Sequence, residues 1–166
     1  MMDLSGGTFN ATLGEVGVGY RYARGSGTGT LTFDDGVVTA DSLVLGSASW
    51  AASNTGSGTI GGVLNMGGGS FTVAGDVVAG HGRNFVADGT YASRSSHGTG
   101  TINLSGTSVF SGASLALGVG EEHPSVVARG TGTLNISGSA AAEFGGSVTL
   151  GTGIAQSIGT INLTGG

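Results

Sequence analysis

Apolar and polar residues alternate in short runs that recur along the chain. Leu31 and Phe33, Leu64 and Met66, Ile102 and Leu104, Leu134 and Ile136, and Ile161 and Leu163 are each separated by one residue. Period-two spacing puts both members of a pair on one face of a strand. Each pair sits in a recurring phrase: Gly27-Thr28-Gly29-Thr30-Leu31, Gly98-Thr99-Gly100-Thr101-Ile102 and Gly130-Thr131-Gly132-Thr133-Leu134, with a looser copy at Gly61–Met66. Gly159–Leu163 repeats the phrase at the end, and Met1-Met2-Asp3-Leu4 opens the chain in the same phase. Self-similarity of this kind reads as an array.

The repeats divide into cores of nearly constant length and connectors of variable length. The cores are 1–19, 29–46, 62–80, 100–118 and 132–151, with a partial core at 159–166, in a single domain. Each core reads as three short strands parted by Gly-rich turns. The middle strand carries Phe9/Ala11, Val37/Thr39, Phe71/Val73, Val109/Ser111 and Ala142/Phe144 as its alternating pairs. The last strand carries Val16/Val18, Leu43/Leu45, Val77/Ala79, Leu115/Leu117 and Val148/Leu150. No stretch has a helical period, and Gly is spread throughout. The expected fold is all-β: a right-handed parallel β-helix (β-solenoid) of about five coils, three short strands per coil, with uncapped ends. Coils stack at about 4.8 Å and bury columns of Leu, Ile, Val and Phe.

The residue between the first-strand apolar pair is Asp3, Thr32, Asn65, Asn103, Asn135 or Asn162. Stacked amides at strand spacing form a hydrogen-bonded ladder. A second reading is glycosylation, because Asn10, Asn103, Asn135 and Asn162 are each followed two residues later by Ser or Thr.

Composition narrows the chemistry. The chain has 166 residues, 37 Gly, one Pro, no Cys and a net charge of −5. It contains no Lys, which removes lysine Schiff bases and the phosphate-loop lysine. Lack of Cys removes disulfides, thiol nucleophiles and cysteine metal sites. The negative charge argues against nucleic acid. No apolar run is long enough to span a membrane as a helix, and the N-terminus lacks the pattern of a signal peptide.

The phrases GTGTLTFDDGVVTADSLVLG, GTGTINLSGTSVFSGASLALG and GTGTLNISGSAAAEFGGSVTLG resemble the autotransporter-associated (type V secretion / PEP-CTERM-associated) repeat. The resemblance covers nearly the whole chain. It implies a β-solenoid passenger of a Gram-negative secreted or surface-displayed protein, with a stalk, adhesive or matrix role.

Side chains suited to recognition fall in the connectors: all five Arg, the three His, the three Tyr and Trp50. Variable loops on a rigid scaffold carry binding. The candidate binding edge is Trp50, His81, Arg83, Phe85, Tyr91, Arg94 and His97; aromatics mixed with Arg and Asp suit a glycan. The bland alternative is that connectors are the only solvated segments long enough for such residues. His81, His97 and His123 lack metal-ligand spacing, and no cofactor or metal is expected. Asp34-Asp35 and Glu121-Glu122 are adjacent pairs whose members point opposite ways, so no catalytic carboxylate pair is expected.

Three functional readings follow. The first is a non-enzymatic structural solenoid, extracellular or at the bacterial cell surface, that is a stalk, an adhesin or a filament subunit stacking on copies of itself. The second is a carbohydrate-binding or polysaccharide-acting β-helix that meets surface glycans or matrix. The third is an ice-binding Thr ladder built on Thr28/Thr30, Thr99/Thr101 and Thr131/Thr133, in which Val63 is an interruption. Both ends start or stop on the first strand of a core and carry no charged or Pro-rich cap, which makes them templates for another chain.

Overall fold

The computed structural model describes residues 1–21, 26–49, 58–83, 96–123, 126–153 and 156–165. Its elements are β1 (Met2–Asp3), β2 (Phe9–Arg21), β3 (Gly27–Phe33), β4 (Gly36–Ser49), β5 (Gly58–Met66), β6 (Ser70–Arg83) and β7 (Ser96–Leu104). They continue as β8 (Val109–Gly120), β9 (Glu122–His123), β10 (Val126–Val127), β11 (Arg129–Ser137), β12 (Ala141–Phe144), β13 (Val148–Thr152) and β14 (Ile158–Thr164). The described residues contain no helix.

Two parallel sheets share these strands. The first runs β1-β3-β5-β7-β11-β14; the second runs β12-β8-β6-β4-β2, with β13 also on β8. The chain alternates between the sheets, and each strand pairs with its counterpart in the next repeat. This is the arrangement of a β-helix or solenoid. A small antiparallel hairpin, β9 with β10, interrupts one connector.

The strands differ from the sequence expectation in two ways. The expected second and third strands are one continuous strand in β2, β4, β6 and β8, and separate only as β12 and β13. The bend between them survives as a register shift, between Ala40 and Leu43 and between Val73 and Asp76. Parallel pairing with flanking strands spans the bend, so the chain stays extended through it. Second, the inward residues of the middle strand are as expected at Phe71/Val73 and Ala142/Phe144 but displaced by one in the Val37 and Val109 repeats. The register aligns Ala11, Val38, Phe71, Phe110 and Ala142, and beside them Leu13, Ala40, Val73, Gly112 and Phe144. Val37 and Val109, expected inside, are 53% and 44% exposed. At Val109 turn length sets the phase: Leu104 and Val109 are five residues apart, while their counterparts Met66 and Ser70 are four apart. At Val37 the turn matches that at Ser70, and the inward residue is the next one, Val38, as Phe71 is.

The core lies between the sheets. Leu64, Ile102 and Leu134 of the first sheet face Leu45, Ala79 and Leu117 of the second, all buried. Burial of each large apolar side chain contributes about 1.5–3 kcal/mol. Phe33, Phe71, Phe110 and Phe144 form a tilted aromatic ladder with centroids 6.1, 5.8 and 6.0 Å apart. Tilted and edge-on contacts at these distances match the ring quadrupoles. Volume is balanced repeat by repeat. Where Phe33 enters from the first sheet, the second offers Val38 and Ala40; where Phe71 and Phe110 enter from the second, the first offers Met66 and Leu104. Gly112 leaves the space that the Phe144 ring uses, at 3.4 Å from a Cβ built there.

The Gly-x-Gly phrase marks where the sheets close on each other. A Cβ on Gly100 would stand 2.3 Å from the Gly80 amide nitrogen, and one on Gly132 2.3 Å from the Ala79 carbonyl. These contacts are backbone against backbone, so no side chain fits between. The cross-section is therefore wide at the Phe ladder and pinched at the glycine face.

Candidate functional site

The described part of the proposed binding edge lies on strand ends. His81 and Arg83 are in β6, His97 is in β7 and Arg129 is in β11, although the sequence reading places all four in connectors. Glycine permits this extension. Gly80 has φ 76°, a left-handed conformation that re-aims the strand. Beyond it, a Cβ on Gly82 would come within 2.3 Å of the Arg129 carbonyl oxygen. The strand ends of the two sheets thus lie against each other, and pairing continues past the core.

His81 and Arg83 are two residues apart and share a face of β6. In register, His81 pairs with Val119 and Gly82 with Gly120, which brings Glu121 beside Arg83. The Glu121 Oε1 lies between the two: His81 Nε2 is 3.3 Å away and Arg83 Nε 3.5 Å away. The Arg83 Nε has no hydrogen-bond partner, so its contact with Glu121 is electrostatic. Burial pushes the His81 imidazole below its ordinary pKa; Glu121 opposes that shift and the Arg83 charge adds to it. The trio ties adjacent repeats together, and as a partly exposed ion pair it is worth about 0–1 kcal/mol.

Ser47 lies beside His81 in register, which puts a hydroxyl, an imidazole and a carboxylate in sequence. Ser47 is 2% exposed, so this group offers no nucleophile to solvent. His97 is on the other sheet, in register with Arg129 and Thr59. Its Nε2 is 3.0 Å from Thr131 Oγ1. Burial and then the Arg129 charge hold its pKa below the usual value. The described residues include no group of three or more His, Cys, Asp or Glu placed to hold a metal. Trp50, Phe85, Tyr91 and Arg94 lie outside the described residues, as does the side chain of His123.

The amide column is continuous. Asn65 Nδ2 donates to Thr32 Oγ1 at 3.2 Å, Asn103 to Asn65 Oδ1 at 2.8 Å, Asn135 to Asn103 at 2.7 Å and Asn162 to Asn135 at 2.8 Å. The Ser or Thr two residues later also points along the stack. Ser105 Oγ donates to the Met66 carbonyl, and Ser137 Oγ to the Leu104 carbonyl. The Asn-x-Ser/Thr spacing is therefore used twice between repeats. On the second sheet, Thr39 bonds Thr12 at 3.2 Å and Ser111 bonds Thr72 at 3.1 Å. Sequence reading missed these hydroxyl contacts because it paired Thr39 and Ser111 with Val37 and Val109 as inward residues.

Asp34 and Asp35 have structural partners. Both Asp34 oxygens accept the Gly6 amide at 3.0 Å, and Asp35 accepts the Thr8 hydroxyl at 2.5 Å. The Thr-x-Thr pairs align as Thr28, Gly61, Thr99, Thr131, Ile158 and as Thr30, Val63, Thr101, Thr133, Thr160. Gly61, Val63 and Ile158 break the hydroxyl array.

The end faces hold the apolar openings. A cavity of about 350 Å³ at the β1 end is lined by Met1, Met2, Leu4, Leu13, Val18, Leu31 and Phe33 among others. At the β14 end, Val148, Leu150, Ile158, Ile161 and Leu163 are exposed, Leu163 by 71%. No protein family, curated protein or solved structure matches the chain.

Proposed function

We propose that the chain is a structural, non-enzymatic module of a bacterial secreted or cell-surface protein. In this reading it is a right-handed parallel β-helix of about five coils, and it elongates by stacking on copies of itself as a filament or stalk. The observation that carries the reading is that the apolar column runs from one end face to the other, and the amide column from Thr32 to the β14 face, with no described side chain covering either end. Such faces expose unpaired strand edges and core residues, and both are templates for pairing. Resemblance to autotransporter-associated repeats and the lack of Cys and Lys support the extracellular assignment. The solvent-shielded Ser47 and the structural partners of Asp34 and Asp35 support the non-enzymatic one.

Negative-stain electron microscopy of the purified chain across a concentration series tests the proposal. Fibres of uniform width whose length grows with concentration are the expected result. Discrete particles of single-chain size at every concentration would overturn self-stacking.

A further inference from the structure

We propose that copies join by strand replacement: β14 of one copy takes the place of β1 on β3 of the next. The inference rests on the self-stacking reading above and specifies its junction. Four observations carry it.

The two end strands are the same element. Met2 pairs with Leu31, Ile161 pairs with Leu134, and Leu31, Leu64, Ile102 and Leu134 form one column. Met2-Asp3-Leu4-Ser5-Gly6-Gly7 therefore matches Ile161-Asn162-Leu163-Thr164-Gly165-Gly166 position by position. Gly6 and Gly165, two residues beyond the shared Leu, both turn with positive φ, 78° and 95°.

The sheets differ in height. The first has six strands in line; the second reaches only from β2 to β12 and β13, which share β8 as their partner. Setting β1 of one copy on β14 of another would leave the second sheet one strand short, a gap about 4.8 Å high with unpaired donors and acceptors on both sides. Replacement closes this gap, because β14 then supplies the first-sheet strand above which β2 already sits.

β1 is held weakly. It pairs with β3 only at Met2 and Asp3, with one more bond from the Leu4 amide to the Thr32 carbonyl at 2.8 Å. β14 pairs with β11 at seven positions. On β3 the same register would match β14 to Thr28–Phe33. Ile161 and Leu163 would enter the cavity that Met2 and Leu4 vacate, and the Gly165 amide would meet Asp34 where Gly6 now donates.

The amide column requires a donor at the junction. Asn162 spends Nδ2 on Asn135, so its Oδ1 faces the open end. Thr32 Oγ1 accepts from Asn65 and keeps its own proton to donate. Replacement sets Thr32 beside Asn162 and continues the column. Simple stacking would set the Asp3 carboxylate there, acceptor against acceptor; that carboxylate is already used by the Ser5 amide and hydroxyl.

Cysteine pairs distinguish the junctions, since the chain has no Cys of its own. Neighbouring parallel strands, about 4.8 Å apart, are within disulfide reach. The Thr32→Cys/Asn162→Cys chain, oxidised under assembly conditions, should form intermolecular disulfides on a non-reducing gel, and the Asp3→Cys/Asn162→Cys chain should not. The reverse outcome would overturn replacement and leave stacking intact. Fibres with neither crosslink would also overturn it, and a chain that never associates would overturn both proposals. A second variant needs no cysteine: removal of residues 1–4 should speed fibre growth at least severalfold by removing the strand to be displaced. Slower growth would refute replacement.

Discussion

At the residue scale, the molecule is stitched by identical side chains meeting across repeats. Asn103 both donates to Asn65 and accepts from Asn135. Asn103→Ala leaves two partly buried amide groups unpaired, so the expected loss is about 1–3 kcal/mol in urea unfolding. Asn162→Ala removes one bond at an exposed end and should cost less than Asn103→Ala. The histidines give stability a pH dependence with a definite sign. Burial lowers the folded pKa of both His81 and His97 below the unfolded value. The unfolded chain therefore binds protons first as pH falls. Stability is full above the unfolded histidine value and declines from about pH 6.5 downward, until the folded groups also protonate. Urea midpoints at pH 7.5 and 5.5 should show the drop, and His97→Gln should make it shallower. Asp3, whose carboxyl is lowered first by the Ser5 hydroxyl and then by the Ser5 amide, acts in a lower window: its contribution is lost as pH falls through its folded value.

At the element scale, strand pairing depends on two surfaces of unlike character. The Phe ladder fills the wide side of the cross-section, and the glycine face lets the backbones touch on the narrow side. Gly100→Ala tests the second. Its Cβ would meet Gly80 N at 2.3 Å and Ala79 C at 2.6 Å, both main-chain atoms held in strands. A loss of about 2 kcal/mol or more is expected in chemical denaturation, because neither sheet can yield alone. Gly145→Ala, with no atom within 4 Å of its added Cβ, should change stability by under about 0.5 kcal/mol. Equal effects at the two positions would refute the close approach. The first-strand pairs Leu64/Met66 and Ile102/Leu104 were legible from spacing alone, since period two fixes which residues share a face. The middle-strand phase was legible at Phe71/Val73 and Ala142/Phe144 but not at Val37 and Val109. In the Val109 repeat it depends on whether the turn holds three residues or four, and the turns Gly67–Gly69 and Ser105–Ser108 do not advertise their length.

At the scale of the whole molecule, stability is spread along a stack in which each repeat leans on its neighbours. Interior repeats bury their Leu and Phe fully, whereas the terminal strands β1, β13 and β14 leave theirs half in solvent. The ends are thus the least satisfied parts of the described structure, and the proposed assembly of copies would satisfy them. Microscopy tests that change, and the cysteine pairs locate its junction. His81, Arg83 and Glu121 belong to this scale too. They come from β6 and from the residue just after β8, with Glu121 38 residues from Arg83 and 40 from His81, and only the lateral register of those strands joins them.

The sequence by itself determined an all-β chain, its repeating strands, the inward face of each first strand and the position of the amide column. These follow from local alternation and from identical residues recurring at one phase, and neither needs a distance across the molecule. The tertiary structure decided that the second and third strands are one, that strands run on into the connectors, and that Gly-x-Gly is a contact between sheets. Each of these depends on how closely two sheets approach and how their strands register, which the order of residues along one strand does not encode.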